Sequence, residues 1–214
     1  MATPEEARIM RSGRSGLVPT MGFLHEGHLS LVEEARRRCD TVVMSLFVNP
    51  LQFDRPEDLE TYPRHPERDA ALAEESGVDV LFAPPVEVMY PQPPLTTVSV
   101  SVLSEHMEGA FRPGHFDGVA TVVTKLFASL RPDVAFFGRK DHQQLILIER
   151  MAADLSMPVE IVGCQIIREP DGLALSSRNV LLGDRPAALS ISRGLFAAAD
   201  AVEAGARSAV ELEA

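Results

Sequence analysis

Hydrophobic positions fall into short continuous runs that alternate with stretches of helical period. Gly16-Leu17-Val18 is the first run, and the segment from His28 to Ala35 that follows has helical character. Thr41-Val42-Val43-Met44-Ser45-Leu46-Phe47-Val48 is rich in β-branched residues and predicts a buried strand. Residues 67–76 predict a helix stopped by Gly77, and the strand-like Val78-Asp79-Val80-Leu81-Phe82 comes next. Val119, Val122, Val123, Leu126, Phe127 and Leu130 share one helical face ahead of Val134-Ala135-Phe136-Phe137. Leu145, Ile148, Ala152 and Leu155 form another ahead of Val159-Glu160-Ile161-Val162. Strand-like runs without polar alternation are buried on both faces, so the pattern predicts an α/β fold, a parallel sheet with helices on both sides. Ligands in such folds bind beyond the carboxyl ends of the strands, where the connections change direction.

Two regions depart from this rhythm. Pro84-Pro85 and Tyr90-Pro91-Gln92-Pro93-Pro94 make a stiff irregular segment, and residues 96–103 alternate in a way that predicts an outlying strand or hairpin arm. From Asp184 the chain turns alanine-rich and helical and then reaches charged helix-like sequence. The expected organisation is one unit over residues 1–183 and the beginning of a second over 184–214.

A chain of 214 residues that is 45% hydrophobic can bury a core. No apolar run approaches membrane-spanning length, and the N-terminus lacks a signal-peptide pattern. Cys39 and Cys164 match no metal or redox spacing and read as reduced thiols of a cytoplasmic protein. A net charge of −11 disfavours nucleic acid or an anionic membrane as the partner. A small anionic ligand needs only local positive charge, and Arg112, Arg139, Lys140 and Arg178 all lie inside chemically suggestive segments.

The first of those segments is Pro19-Thr20-Met21-Gly22-Phe23-Leu24-His25-Glu26-Gly27-His28, where a strand hands over to a helix. Unpaired backbone N–H groups and the positive end of a helix dipole make such a place a phosphate site, and imidazoles there can donate to phosphoryl oxygens. Phe47-Val48-Asn49-Pro50-Leu51-Gln52-Phe53 turns at Asn49-Pro50 and presents Gln52, either as a polar anchor in an apolar pocket or as a solvated loop amide. Phe111-Arg112-Pro113-Gly114-His115-Phe116 suits anion binding and interface packing equally. Gly138-Arg139-Lys140-Asp141 opens a helix that Asp141 is suited to cap, with Lys140 in reach of a phosphate and Gln144 on the same face. Leu175-Ser176-Ser177-Arg178 follows the turn signal Glu169-Pro170-Asp171-Gly172 and reads as a triphosphate clamp or as a serine-capped helix with an exposed arginine. The histidines are not spaced i, i+4, and no dinucleotide or P-loop glycine motif is present.

In this order the segments closely resemble the pantoate–β-alanine ligases (pantothenate synthetases): Pro-Thr-Met-Gly-x-Leu-His-x-Gly-His, Phe-Val-Asn-Pro-x-Gln-Phe, Tyr-Pro-Arg, Arg-Pro-Gly-His-Phe, Lys-Asp-x-Gln-Gln and Leu-Ser-Ser-Arg-Asn. The match runs from about Leu17 to Leu182. The resemblance implies a Rossmann-like domain of the HIGH-type nucleotidyltransferase superfamily, cytoplasmic and homodimeric, using ATP and Mg²⁺. The implied reaction runs in two steps: pantoate and ATP form pantoyl adenylate and pyrophosphate, and β-alanine then displaces AMP. Carried over by motif, Met21, Gly22, Phe23, Leu24, His25, Glu26, Gly27 and His28 line the ATP site, with His28 as proton donor and His25 as a phosphate contact. Gly138, Arg139, Lys140, Asp141, Ile167, Leu175, Ser176, Ser177 and Arg178 also meet ATP, with Lys140, Ser176, Ser177 and Arg178 on its phosphates. Gln52 and Gln144 hold pantoate, and Asp69 matches a magnesium-site carboxylate. Arg139 stands where the family has glutamate or glutamine, His142 replaces an aromatic residue or alanine, and only the first helix of the family's covering domain is expected here. Two rival readings remain at this level: a nucleotidyltransferase that keeps the nucleotide in its product, and a binding module that does not turn over.

Overall fold

The computed structural model describes residues 1–208. Strand β1 (Ser15–Thr20) follows a short helix α1 (Pro4–Ile9), and α2 (Glu26–Arg38) leads to β2 (Thr41–Leu46). Short helices α3 (Pro56–Glu60) and α4 (Pro66–Glu75) precede β3 (Val80–Phe82), and α5 (Val86–Met89) and α6 (Glu108–Phe111) punctuate the proline-rich region. The long α7 (His115–Leu130) feeds β4 (Val134–Gly138), α8 (His142–Asp154) feeds β5 (Glu160–Cys164), and α9 (Arg185–Glu203) comes last among the described residues.

The strands of the sheet pair in parallel, in the order β3-β2-β1-β4-β5. The order reverses between β1 and β4, which pair at Gly16–Val134 and Leu17–Ala135, so a crevice opens beyond the carboxyl ends of those two strands. Successive residues face opposite layers. Leu17, Val43, Ala135 and Phe137 pack with α1, α7 and α8; Val18, Val42, Met44, Val134 and Phe136 pack with α2 and α4. Both faces are covered, which is why the strands carry no polar alternation. No helix among the described residues is long and apolar enough to cross a membrane, and both cysteines are buried free thiols.

The five strands and their helices lie where the hydrophobic runs predict them, and Gly77 ends α4 with φ +87°. Three expectations differ. Residues 96–103 form no strand: Val98 donates its N–H to the Thr121 hydroxyl, Val98 and Val100 pack on the core, and a turn from Ser101, with Val102 at φ +71°, brings Leu103 onto the same core. Leu155 caps α8 and is 52% exposed, while Leu147 and Met151 fill the core instead. Asp141 stands at the N-cap of α8 without bonding its amides, because its carboxylate is turned to Lys140 Nζ at 3.0 Å.

Candidate active site

Between β1 and α2 the backbone passes through two consecutive left-handed residues, Gly22 (φ +89°) and Phe23 (φ +50°). Phe23 has a Cβ and resists that conformation, so other groups must hold it. Asp69 does so from α4. Its buried carboxylate accepts the Phe23 N–H at 2.7 Å and the Leu24 N–H at 2.8 Å, while Arg68 donates to the Leu24 carbonyl and Ser177 to the Phe23 carbonyl. Both Asp69 oxygens thus bond the loop. Among the described residues no cluster of three His, Cys, Asp or Glu side chains is arranged to hold a metal. The two loop bonds give Asp69 a structural task beside the magnesium role expected of it.

The loop delivers His25 as the N-cap of α2, and the two histidines cap reciprocally. His25 Nδ1 accepts from the Gly27 N–H at 3.1 Å, and His28 Nδ1 accepts from the His25 N–H at 3.3 Å, with the rings 4.1 Å apart. Gly27 is required between them, because a Cβ there would lie 2.9 Å from the His25 ring. The helix start therefore differs from the bare amides expected: the imidazoles take two of those N–H groups. An Nδ1 that accepts leaves the ring proton on Nε2, so each neutral histidine has an Nε2–H to donate. Burial, then the His25 ring and Lys140, push the His28 pKa down to about 3. Burial, with the charges of Lys140 and Arg68, lowers that of His25 as well.

These residues border a cavity of about 540 Å³ beyond the ends of β1, β2 and β4. Of the first motif, Met21, His25, Gly27 and His28 line it. Leu24 is buried in the core, Glu26 is exposed, and Gly22 and Phe23 form the turn itself. From the other side come Gly138, Lys140, Asp141, Ile167, Leu175, Ser176, Ser177 and Arg178. Ser176 Oγ accepts the Arg178 N–H, and the Arg178 guanidinium lies over the Tyr62 ring at 5.4 Å. The Ile167 carbonyl accepts the Leu175 N–H at 3.0 Å. Arg139 leaves the cavity and donates to the Gly163 carbonyl at 3.2 Å, tying the end of β4 to that of β5.

One stretch of the wall is apolar, made by Phe116, Val119, Val122, Val123 and Leu126 of α7 with Phe47 and Phe137. Gln52 and Gln144 both reach the cavity. The Gln52 amide is oriented: Asn49 Nδ2 donates to its Oε1 at 3.1 Å, while its Nε2 faces Met21 Sδ at 3.1 Å. The buried Ser45 hydroxyl on this wall has no hydrogen-bond partner among the described residues. Gln144 lines the cavity, whereas its neighbour Gln143 is spent on structure, donating to the Leu103 and His106 carbonyls and accepting the Glu108 N–H. Tyr62, Ser45, Asn49 and Gln143 escaped the sequence reading, although Tyr-Pro-Arg, Asn-Pro and Lys-Asp-x-Gln-Gln flagged three of their segments.

A cation-bordered crevice at the switch point of a parallel sheet, with paired imidazoles at a helix start, defines a nucleotide-binding α/β domain of the nucleotidyltransferase type. The family described as pantoate-beta-alanine ligase matches residues 2–214. Pantothenate synthetase of Pelobacter propionicus is 57% identical over 203 residues, 94% of this chain and 72% of its own length. That of Heliobacterium modesticaldum is 57% identical over 205 residues, 94% of this chain and 73% of its own length. Crystalline pantothenate synthetase from Thermus thermophilus superposes with a TM-score of 0.95 at 52% identity, covering 100% of this chain and 79% of that one. The pantoate-beta-alanine ligase of Francisella tularensis, solved with a β,γ-ATP ligand and β-alanine, gives 0.85 at 37% identity over 90% of this chain and 77% of its own. This chain belongs to the pantoate–β-alanine ligase family.

Proposed function

We propose that this cavity hosts both half-reactions of an ATP-dependent ligation of pantoate to β-alanine. A pantoate carboxylate oxygen attacks the α-phosphorus of ATP and pyrophosphate leaves; the β-alanine amine, after losing a proton, attacks the acyl carbon and AMP leaves. A carboxylate is a poor acyl donor until its oxygen joins a good leaving group, and this is what adenylation supplies. His25, His28, Lys140, Ser176, Ser177 and Arg178 carry the charge of the triphosphate and of the departing pyrophosphate. A histidine with a pKa near 3 is neutral at working pH, so His28 acts as an Nε2–H hydrogen-bond donor rather than as a cationic acid. Gln52 and Gln144 bind the polar groups of pantoate while the α7 wall receives its methyl groups.

The observation that carries this reading is the presence of both glutamine amides and the apolar wall in the same cavity as the phosphate-binding side chains. An enzyme that keeps the nucleotide in its product has no need of the pair. Mg²⁺ enters with the triphosphate and is held mainly by phosphate oxygens and water, as is usual for this ion. Residues 1–183 form the catalytic unit, and 184 onward begin a covering unit: α9 exposes Ile191, Leu195 and Phe196 while Arg185 anchors it to Glu169 and Asp171. The protein works as a cytoplasmic homodimer.

Pantoate-dependent ATP–pyrophosphate exchange, with Mg²⁺ and without β-alanine, tests the proposal. Exchange is the expected result. ATP binding without exchange would leave only a binding module, and exchange indifferent to pantoate would remove the acid from the reaction.

A further inference from the structure

The Arg-Pro-Gly-His-Phe segment has no task in the chemistry above, yet its histidine is only 7% exposed and borders the acid pocket. His115 Nδ1 lies 2.7 Å from the main-chain oxygen of Gln52. A carbonyl can only accept, so the ring proton is on Nδ1 and Nε2 is an acceptor. Arg112 Nη1, 3.2 Å away, fills that acceptor. Arg112 is itself held by Glu108 at 2.7 Å and by Asp54 at 3.6 Å. An arginine cannot accept, so its position selects the Nδ1–H tautomer and opposes a second proton on the ring.

The same helix fixes the rest of the Gln52 loop. One turn on from His115, Gly118 accepts from Asn49 Nδ2 at 3.0 Å, and the same amide group orients the Gln52 side chain. Tyr90 closes the set by donating its hydroxyl to Asn49 Oδ1 at 2.9 Å. Gly118 has no room for a Cβ, which would fall 2.2 Å from the Leu51 carbonyl oxygen. Main chain and side chain of Gln52 are therefore both located from α7, the helix that also supplies the apolar wall.

We infer that His115 is a positioning residue for the acid substrate: its Nδ1–H, selected by Arg112, clamps the Gln52 carbonyl and so sets the direction in which the Gln52 amide meets pantoate. The inference rests on the reading of Gln52 as a pantoate ligand. Neither His115 nor Arg112 takes part in the bond changes.

Asparagine and glutamine separate this role from packing, because an asparagine amide nitrogen falls near the imidazole Nδ1 position and a glutamine amide nitrogen near Nε2. The measurement is pantoate-dependent ATP–pyrophosphate exchange on the native chain, H115A, H115N and H115Q, with KM read separately for pantoate and ATP and each variant checked by thermal melting. H115A and H115Q should raise the pantoate KM about tenfold or more while the ATP KM stays within about twofold, and H115N should recover most of the loss. Should H115A fail to fold, the contrast between H115N and H115Q carries the result. Unchanged pantoate KM, equal rises for both substrates, or H115N no better than H115Q would overturn the inference. Native chain that shows no dependence on pantoate would instead sink the pantoate reading, and this inference with it.

Discussion

Asp69→Asn distinguishes a carboxylate that holds the loop from one that holds magnesium. In the native chain the two oxygens accept two short backbone hydrogen bonds, from Phe23 and Leu24, in a setting where Asp69 is 1% exposed. An asparagine keeps one acceptor and turns an NH₂ toward the other N–H, so one bond is lost, one donor is stranded, and the surviving bond loses its charge. Hydrogen bonds to charged groups contribute about 1.5–3 kcal/mol, and a stranded buried donor costs about 1–3 kcal/mol, overlapping quantities that together suggest roughly 2–4 kcal/mol here. For a chain of this size each kcal/mol moves the melting temperature by about 2–4 °C, so a fall of roughly 5–15 °C is expected. The melt should be recorded by circular dichroism in EDTA, so that metal cannot contribute. Adenylation should fall too, because the released turn no longer places His25. A metal-free melting temperature unchanged within about 2 °C, together with a raised Mg²⁺ requirement, would refute the loop assignment and return Asp69 to the metal.

Titration of His28 offers a second check. With its folded pKa near 3, its ring proton signals in NMR should stay flat from pH 8 to 5, and a midpoint near 6.5 would contradict the neutral-donor role. The unfolded chain takes up this proton at about pH 6.5, so the contribution of the neutral ring to stability is present above that pH and is lost at up to about 1.4 kcal/mol per unit as the pH falls toward 3. Gly118→Ala should destabilise by about 1–3 kcal/mol and weaken pantoate more than ATP, since its Cβ presses on the Gln52 loop; equal weakening of both in isothermal titration would argue for a general disturbance.

Much of the fold was legible because burial on both faces writes continuous apolar strands, and the α7 face repeats at helical spacing. The segment at 96–103 misled for a physical reason: Val98 and Val100 alternate because the chain lies on the core there, and it then turns at Ser101 without pairing with another strand. Motif order brought together Gln52, Gln144, Lys140 and the serine–arginine clamp, residues far apart in sequence. What motifs could not give was direction. Nothing in Lys-Asp-x-Gln-Gln says that Gln143 turns to carbonyls while Gln144 turns to the cavity, or that Arg139 leaves for Gly163. Asp69 lies far from its loop in sequence, and only the fold shows which amides it serves.

The reciprocal histidine cap has a consequence for how such a protein changes over evolutionary time. The Nδ1 atoms that close the first turn of α2 belong to the rings whose opposite nitrogen is proposed above as the phosphate donor. A descendant relieved of catalysis can keep the helix start with serine, aspartate or asparagine in place of His25, since these cap at least as well. One under selection for turnover cannot, because none of these offers a rigid donor on the far side of its capping atom. Replacement of these imidazoles by ordinary caps, in an otherwise intact fold, is thus a mark by which a retired enzyme would be told from a working one.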